Sequence, residues 1–422
     1  MKTTYLISSL LALLTLGSCI APQDEEIDCQ DCREQQIAIR LASDNATTRA
    51  GRPLYSNQPQ QDVDRVMLIF CAGNQIVSTK LIKDWMDISD EYETTDHRGQ
   101  QCIITLEGSE RLPESPTPYT AYAIAYTYKS DQEHTAYTVG EENEGLDTYL
   151  TGLNNGDTFS KNLVLTLSGE PGEEIFAGSL SQITINESGG FYQPLVLNRQ
   201  VAGVYMYVSA IPDIDQAKEL RLTAAADNDW LVLGQFDNED YGQDSKQGNK
   251  VVNGTNAKTG EERYTLCSII FKDWKNEDGS WKNPYEGKAT FEDGSYFSGS
   301  FVIPFAAQKD VQSLRMELIG NDDDDTELKS WKVNLPGEDI STEIYTWSDN
   351  TFAINSSITE SPSSYCLLRN HLYCIGSKKT DGSTDGDEPQ PLDTGQDIQL
   401  KVIAEWDYVY DIMLEPTPGG SK

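Results

Sequence analysis

Histidine, cations and long apolar runs are all scarce in this sequence. Only three histidines occur in 422 residues, His97, His134 and His371, and no two are near one another. No HExxH pair, phosphate-cradling glycine loop or GxSxG elbow is present. These absences remove the commonest metal-hydrolase, nucleotide and serine-hydrolase readings, and neither a metal nor a cofactor is implied. Lys and Arg total 32 against 68 Asp and Glu, a formal net charge of −36. A surface of that sign repels phosphate backbones, which excludes nucleic acid as a partner and favours a solvated exterior. After the first residues, no apolar run approaches the about 18 residues of a spanning helix. Hydrophobic residues make up 38% of the chain, enough for two domains of ordinary size to close their own cores.

The N-terminus carries an address. Lys2 precedes a mostly apolar run from Tyr5 to Leu16, too short to span a bilayer and placed where a signal peptide lies. The run ends in Leu16-Gly17-Ser18-Cys19, which resembles the lipobox of bacterial lipoproteins. That resemblance implies cleavage after residue 18 and lipidation of Cys19. Ile20, where an aspartate would favour the inner membrane, points to the outer membrane, and the acidic Asp24-Glu25-Glu26 resembles a surface-export signal of Bacteroidia lipoproteins. The bland alternative for the acidic cluster is a solvated tether.

Cysteine offers little further chemistry. Apart from Cys19, seven of the eight cysteines remain, an odd number that argues against a complete disulfide framework. Cys29-x-x-Cys32 lacks a second pair and sits in a leader, so zinc and thiol exchange are both weakly supported. Cys366 and Cys374 read as buried small apolar residues.

The body reads as β. Tyr and Thr are plentiful, and turns rich in Gly, Asn and Asp recur. Expected strands run over Gln36–Leu41, Val63–Phe70, Ala121–Tyr128, Lys161–Leu167, Gln200–Ala210, Ser298–Pro304, Val311–Leu318 and Asp397–Trp406. Such spacing suggests antiparallel sandwiches. Glu141–Asp147 reads as loop. Asp227–Lys258 and Asn276–Gly287 read as polar surface excursions, Asn321–Asp325 as an acidic hairpin tip, and Asp381–Glu388 as a linker-like loop. The boundary between halves is expected near Gln193-Pro194. The division is therefore a signal peptide at 1–18, a leader at 19–49, an N-terminal domain at 50–194 and a C-terminal domain at 195–422.

Four features together resemble the fimbrillin family, the type V pilus subunits of Bacteroidia. They are the lipobox, the Ala46-Thr47-Thr48-Arg49-Ala50 segment, the run from Val196 to Gly203 followed by Ile211-Pro212, and Leu368-Arg369-Asn370-His371-Leu372-Tyr373 with a late strand ending at Trp406. The resemblance implies tandem transthyretin-like β-sandwiches, no enzymatic activity, and a place in cell-surface fimbriae as shaft, anchor or tip. It implies an Arg-specific protease as a partner, cutting between Arg49 and Ala50, and other fimbrial subunits that supply a strand to the emptied groove. Ile37, Ile39 and Leu41, alternating along the leader strand, are the candidate plug. Tyr408, Tyr410, Ile412 and Leu414 are candidate donor residues, although this segment can equally be the last strand of its own domain. Tyr408–Leu414 would extend roughly 23 Å at ~3.3 Å per residue, enough to line a groove.

Two readings of other classes compete. In one, Trp85, Trp230, Trp274 or Trp281 stacks on sugar rings of a surface glycan; in the other, paired acids act as a glycosidase. No pattern specifies a receptor.

The lipobox generates a direct test. Replacing the acceptor thiol, Cys19→Ala, is expected to abolish incorporation of a radiolabelled fatty acid into the protein; undiminished label would end the lipoprotein reading.

Overall fold

The computed structural model describes residues between Arg33 and Ile403, leaving out 1–32, 404–422 and internal stretches of which 45–62, 234–249, 253–262 and 304–313 are the longest. The chain is mainly β. Its first half supplies β1 (Gln35–Asp44), β2 (Arg65–Ala72), β3 (Gln75–Ile82), β4 (Asp90–Glu93), β5 (His97–Thr105), β6 (Tyr119–Tyr126), β7 (Tyr137–Val139), β8 (Glu144–Gly145), β9 (Val164–Leu167), β10 (Ile175–Ile183) and β11 (Phe191–Arg199). Two short helices, α1 (Trp85–Ile88) and α2 (Leu146–Gly152), join them.

An eight-stranded sheet, ordered β3-β2-β6-β10-β11-β1-β5-β4, folds over on itself at β11. Phe191–Leu197 of β11 pair with β1, whereas only Asn198 and Arg199 pair with β10. The fold-over makes β2, β6 and β10 a middle layer. Val66, Leu68 and Phe70 of β2 face the core shared with β1, β5 and β11. Met67, Ile69 and Cys71, on the opposite face, join a second core with α2 and with strands β7 and β9. Coverage on both sides explains why β2 reads as an unbroken apolar run rather than an alternation.

The second half supplies β12 (Ala202–Ser209), β13 (Ala217–Ala224), β14 (Trp230–Val232), β15 (Lys250–Val252), β16 (Tyr264–Ile270), β17 (Tyr296–Val302), β18 (Leu314–Gly320), β19 (Glu327–Asn334), β20 (Ser341–Ser348), β21 (Thr351–Thr359), β22 (Leu372–Ile375), β23 (Gln390–Pro391), β24 (Ile398–Gln399) and β25 (Lys401–Ile403). Two five-stranded sheets, one built on β12 and the other on β13 and β18, share a third core. Aromatic rings fill one end of it. Trp274 lies 6.0 Å from Trp281 and 5.8 Å from Tyr285, centroid to centroid, and Phe291 stacks on Phe297 at 5.0 Å.

Several expectations change. The sheets are mixed, not purely antiparallel: β1–β11, β12–β22, β12–β23, β15–β20 and β19–β24 run parallel among the described residues. Each parallel pair joins segments distant in sequence, which local turn signals do not report. β11 runs unbroken through Gln193-Pro194, and Leu195 and Leu197 pack in the N-terminal core. From Ala202 onward most buried residues belong to another core, although Leu231, Leu233 and Ile303 return to the second. The end of the Glu141–Asp147 stretch starts α2, whose Leu146 and Leu150, one helical turn apart, are both buried. Asp147 anchors that helix by accepting from Arg65 and from the Tyr126 hydroxyl at 2.7 Å. Within Asn276–Gly287, Trp281 and Tyr285 fold back onto the core rather than into solvent. Asn321–Asp325 does form the turn between β18 and β19, where Asp325 takes Lys218 and Arg221 as partners. Asp387, in the expected linker-like loop, is buried against Lys378 at 2.6 Å.

Arg199 and Glu174 form an ion pair at 2.7 Å with both side chains fully buried, and the guanidinium lies 4.8 Å from the centre of the Phe176 ring. The pair ties the end of β11 to the start of β10, where the sheet turns over. Removing one partner of a buried pair strands the other charge. Arg199→Ala is therefore expected to lower stability by about 3–5 kcal/mol in urea unfolding. Replacing both residues with Met and Leu should recover most of that loss, and a double variant as weak as the single would contradict this account.

Candidate functional site

The site begins with the ten-residue strand β1. Gln, Ile and Ala alternate through Gln36-Ile37-Ala38-Ile39, a pattern that suits a pleated strand with one apolar face. β1 has a neighbour on each edge. It runs parallel to β11 from Gln35 opposite Phe191 to Leu41 opposite Leu197. On its other edge it runs antiparallel to β5, from Gln36 opposite Thr105 to Asp44 opposite His97. Ile37, Ile39 and Leu41 are each 0% exposed and share a core with Val66, Leu68, Phe70, Leu195 and Leu197. The opposite face is polar at Gln36, which donates to Thr105 Oγ1 at 3.1 Å, and at Arg40, which donates to Gln101 Oε1 at 2.7 Å.

The sequence-predicted plug residues are thus brought together on one face of one strand. Burying each aliphatic side chain stabilises the fold by roughly 1.5–3 kcal/mol. Taking β1 away would uncover that apolar strip together with the facing N–H and C=O rows of β5 and β11, a cost borne along both edges. β1 precedes every other described element, so a single backbone cut before Val63 leaves it held only by non-covalent contacts.

The remaining predicted residues fall elsewhere. Cys19, Cys29, Cys32, Arg49, Ala50, Cys366, Arg369, Asn370, His371, Trp406, Tyr408, Tyr410, Ile412 and Leu414 lie outside the described residues. Of the tryptophans considered as sugar platforms, Trp85 and Trp274 are buried in cores. Trp281 is half-buried and donates its indole N–H to the Ser295 carbonyl at 2.8 Å. Neither Trp85 nor Trp274 offers a free ring face, because the core needs the apolar area of both. Among the described residues, no group of three or more His, Cys, Asp and Glu is arranged to hold a metal ion.

One cysteine lies against this strand. Cys102 sits on β5 directly opposite Ile39 and packs partly against the same core. Burial, with a smaller effect from the Asp90 charge, holds its thiol above the ordinary range. Cys71 and Cys267 are more deeply held, with thiols pushed by burial up to about 11 and about 12. Thiolates are the reactive form, so all three are quiet while the fold is intact.

The uncut chain should be sensitive to loss of the plug. Ile39→Ala is expected to cost about 2–5 kcal/mol in chemical unfolding, since the cavity is enclosed by two sheet layers. The exposed control Ile103→Ala, one residue along β5 from Cys102, should change stability by less than about 0.5 kcal/mol. Equal effects at the two positions would show that β1 is not integral to the core.

No protein-family model matches the chain, and no curated protein matches it. Several solved structures are similar. The tip fimbrial protein Mfa3 from Porphyromonas gingivalis is 8% identical, with 88% of this chain and 98% of that chain covered at a TM-score of 0.37. The fimbrial anchor protein Mfa2 from the same organism is 10% identical, with 80% and 99% covered and a TM-score of 0.31. A fimbrilin from Porphyromonas gingivalis is also 10% identical, with 88% and 98% covered and a TM-score of 0.35. The solved structures to which this chain is similar thus include fimbrial proteins of Bacteroidia, at low identity.

Proposed function

We propose that the chain is a fimbrillin-like structural subunit that assembles at the cell surface by strand exchange. It reaches the outer membrane as a lipoprotein held through Cys19. An Arg-specific protease then cuts between Arg49 and Ala50. β1 is left without a covalent tie and yields its place between β5 and β11 to a strand from another subunit. The single observation that carries this reading is the placement of β1. It is the first strand among the described residues, lies inside a sheet rather than at its edge, and has three aliphatic side chains fully buried.

Strand exchange accounts for features that a glycan-binding or hydrolytic role does not require. A receptor for sugars has no use for a detachable interior strand. A donor replaces every lost backbone bond and apolar contact at once, so the assembled state satisfies the groups that the cut would otherwise strand. The tail around Tyr408, Tyr410, Ile412 and Leu414 is the proposed donor. The acidic exterior keeps subunits from associating through their outer faces before that exchange.

Cys102 makes the exchange measurable. In the precursor, a maleimide should label Cys102 slowly. After treatment with the Arg-specific protease and loss of the leader, labelling should accelerate, and it should slow again as polymers form. Arg49→Ala should stay monomeric and slowly labelled throughout. Deletion of Tyr408–Lys422 should allow cutting and fast labelling without ladders on mild-detergent gels. Ladders from Arg49→Ala equal to those of the unaltered chain would reject this cut site, and ladders from the truncated chain would reject the tail as donor.

A further inference from the structure

The entry end of β1 is held by a polar contact unlike the apolar strip beyond it. Gln35 is 2% exposed. Its Nε2 donates to the Leu112 carbonyl at 2.9 Å and to the Gly189 carbonyl at 3.2 Å. Its Oε1 accepts from the Leu112 N–H at 2.7 Å. One side chain thereby satisfies both backbone groups of a buried residue far away in sequence, together with the carbonyl of the turn between β10 and β11.

The surroundings hold this receiver in shape. Asn186 Oδ1 accepts from the N–H groups of Ser188 and Gly190, at 3.0 and 2.9 Å, and fixes the turn. Gly189 has φ +84°, a conformation that a side chain at that position would strain. Arg111 donates to the Gly189 carbonyl at 2.8 Å and to the Arg33 carbonyl at 3.1 Å, closing the outer side. Every group of the receiver except Arg33 belongs to the body of the protein, so the receiver stays behind when β1 leaves.

We infer that the groove between β5 and β11 contains a carboxamide subsite, formed by the Leu112 N–H and carbonyl and the Gly189 carbonyl, which selects incoming strands. The inference rests on the proposal that β1 is exchangeable. The preferred occupant is an extended segment with a glutamine two residues before the first of three alternating aliphatic side chains, as in the leader strand itself; the tail proposed as donor carries no glutamine, so the subsite favours the leader until the leader is lost. The chemistry defines the choice. A carboxamide offers a donor and an acceptor on one planar group. Glutamate supplies the acceptor but turns an oxygen toward two carbonyls. Leucine supplies neither and strands buried backbone groups. Asparagine is one methylene short of the reach that Gln35 uses. An aliphatic strip alone would accept any apolar strand; the subsite also sets register, because a slip of one residue carries the amide to the opposite face.

Competition on the protease-cut full chain tests this. A fluorescent peptide of sequence Arg33–Asp44 is loaded into the groove and challenged with unlabelled peptides. The unaltered peptide should displace it, and the peptides carrying Gln35→Leu and Gln35→Glu should be at least about tenfold weaker, the loss expected when one or more backbone groups go unpaired. The Gln35→Asn peptide should also be weaker. A control peptide with Arg40→Gln, altered on the outer face, should compete within about twofold of the original. Equal potency of the Gln35→Leu peptide would overturn the subsite while leaving the groove intact. Failure of every peptide to load or compete, the unaltered one included, would overturn the exchangeable strand itself and the subsite with it.

Discussion

The eight-stranded sheet depends on one interior strand. β1 precedes the other described strands yet lies between β5 and β11, with hydrogen-bonding partners on both edges. β11 needs β1 because its pairing with β10 is limited to its last two residues. β5 needs it because only β4, a short strand, lies on its other side. Without β1 the eight-stranded sheet divides into two pieces, and the core between them loses Ile37, Ile39 and Leu41. An interior strand is usually the last element a protein can spare, since it contributes two rows of backbone bonds rather than one.

The layers behind it explain how the remainder could persist. The β2–β6–β10 sheet is buried on both faces, so its second core, with β7, β9, α2 and β14, does not involve β1. The Asp147 contacts to Arg65 and Tyr126 pin α2 to that face. Burial, reinforced by the Asp147 charge, keeps the Tyr126 phenol protonated at all ordinary pH. The third core, between the sheets of β12 and β13, is likewise separate from the plug. Removal of β1 would thus fall on one of three cores.

Charge plays a supporting part. With 32 cations against 68 acids, the chain places several of its few arginines and lysines at structural joints. Arg199 closes the fold-over, Lys378 meets Asp387 in the interior, and Lys218 with Arg221 steadies the acidic turn at Asp325. At that exposed turn, the neighbouring cations hold the Asp325 carboxyl below its usual range. An excess of acids of this size makes copies of the chain repel one another.

Local pattern was sufficient for much of this. The alternation of Ile37, Ile39 and Leu41 marked a one-faced strand, because side-chain period depends only on neighbouring residues; Val63–Phe70 read as a strand, but its burial on both faces became visible only with the layers in place. Helix α2 was missed because its two apolar residues straddle the end of an acidic stretch. Which strands pair was not legible at all. Parallel partners such as β1 and β11 are far apart along the chain, and nothing in either segment names the other. The seat of Gln35 was equally hidden, since an amide in a strand reads as a solvated residue until Leu112 and Gly189 are brought to it. Burial of Trp85 and Trp274 was settled in the same way. A lone tryptophan has no sequence signature for core or surface, and only the closing of layers around it decides whether its ring meets a sugar, water or other side chains.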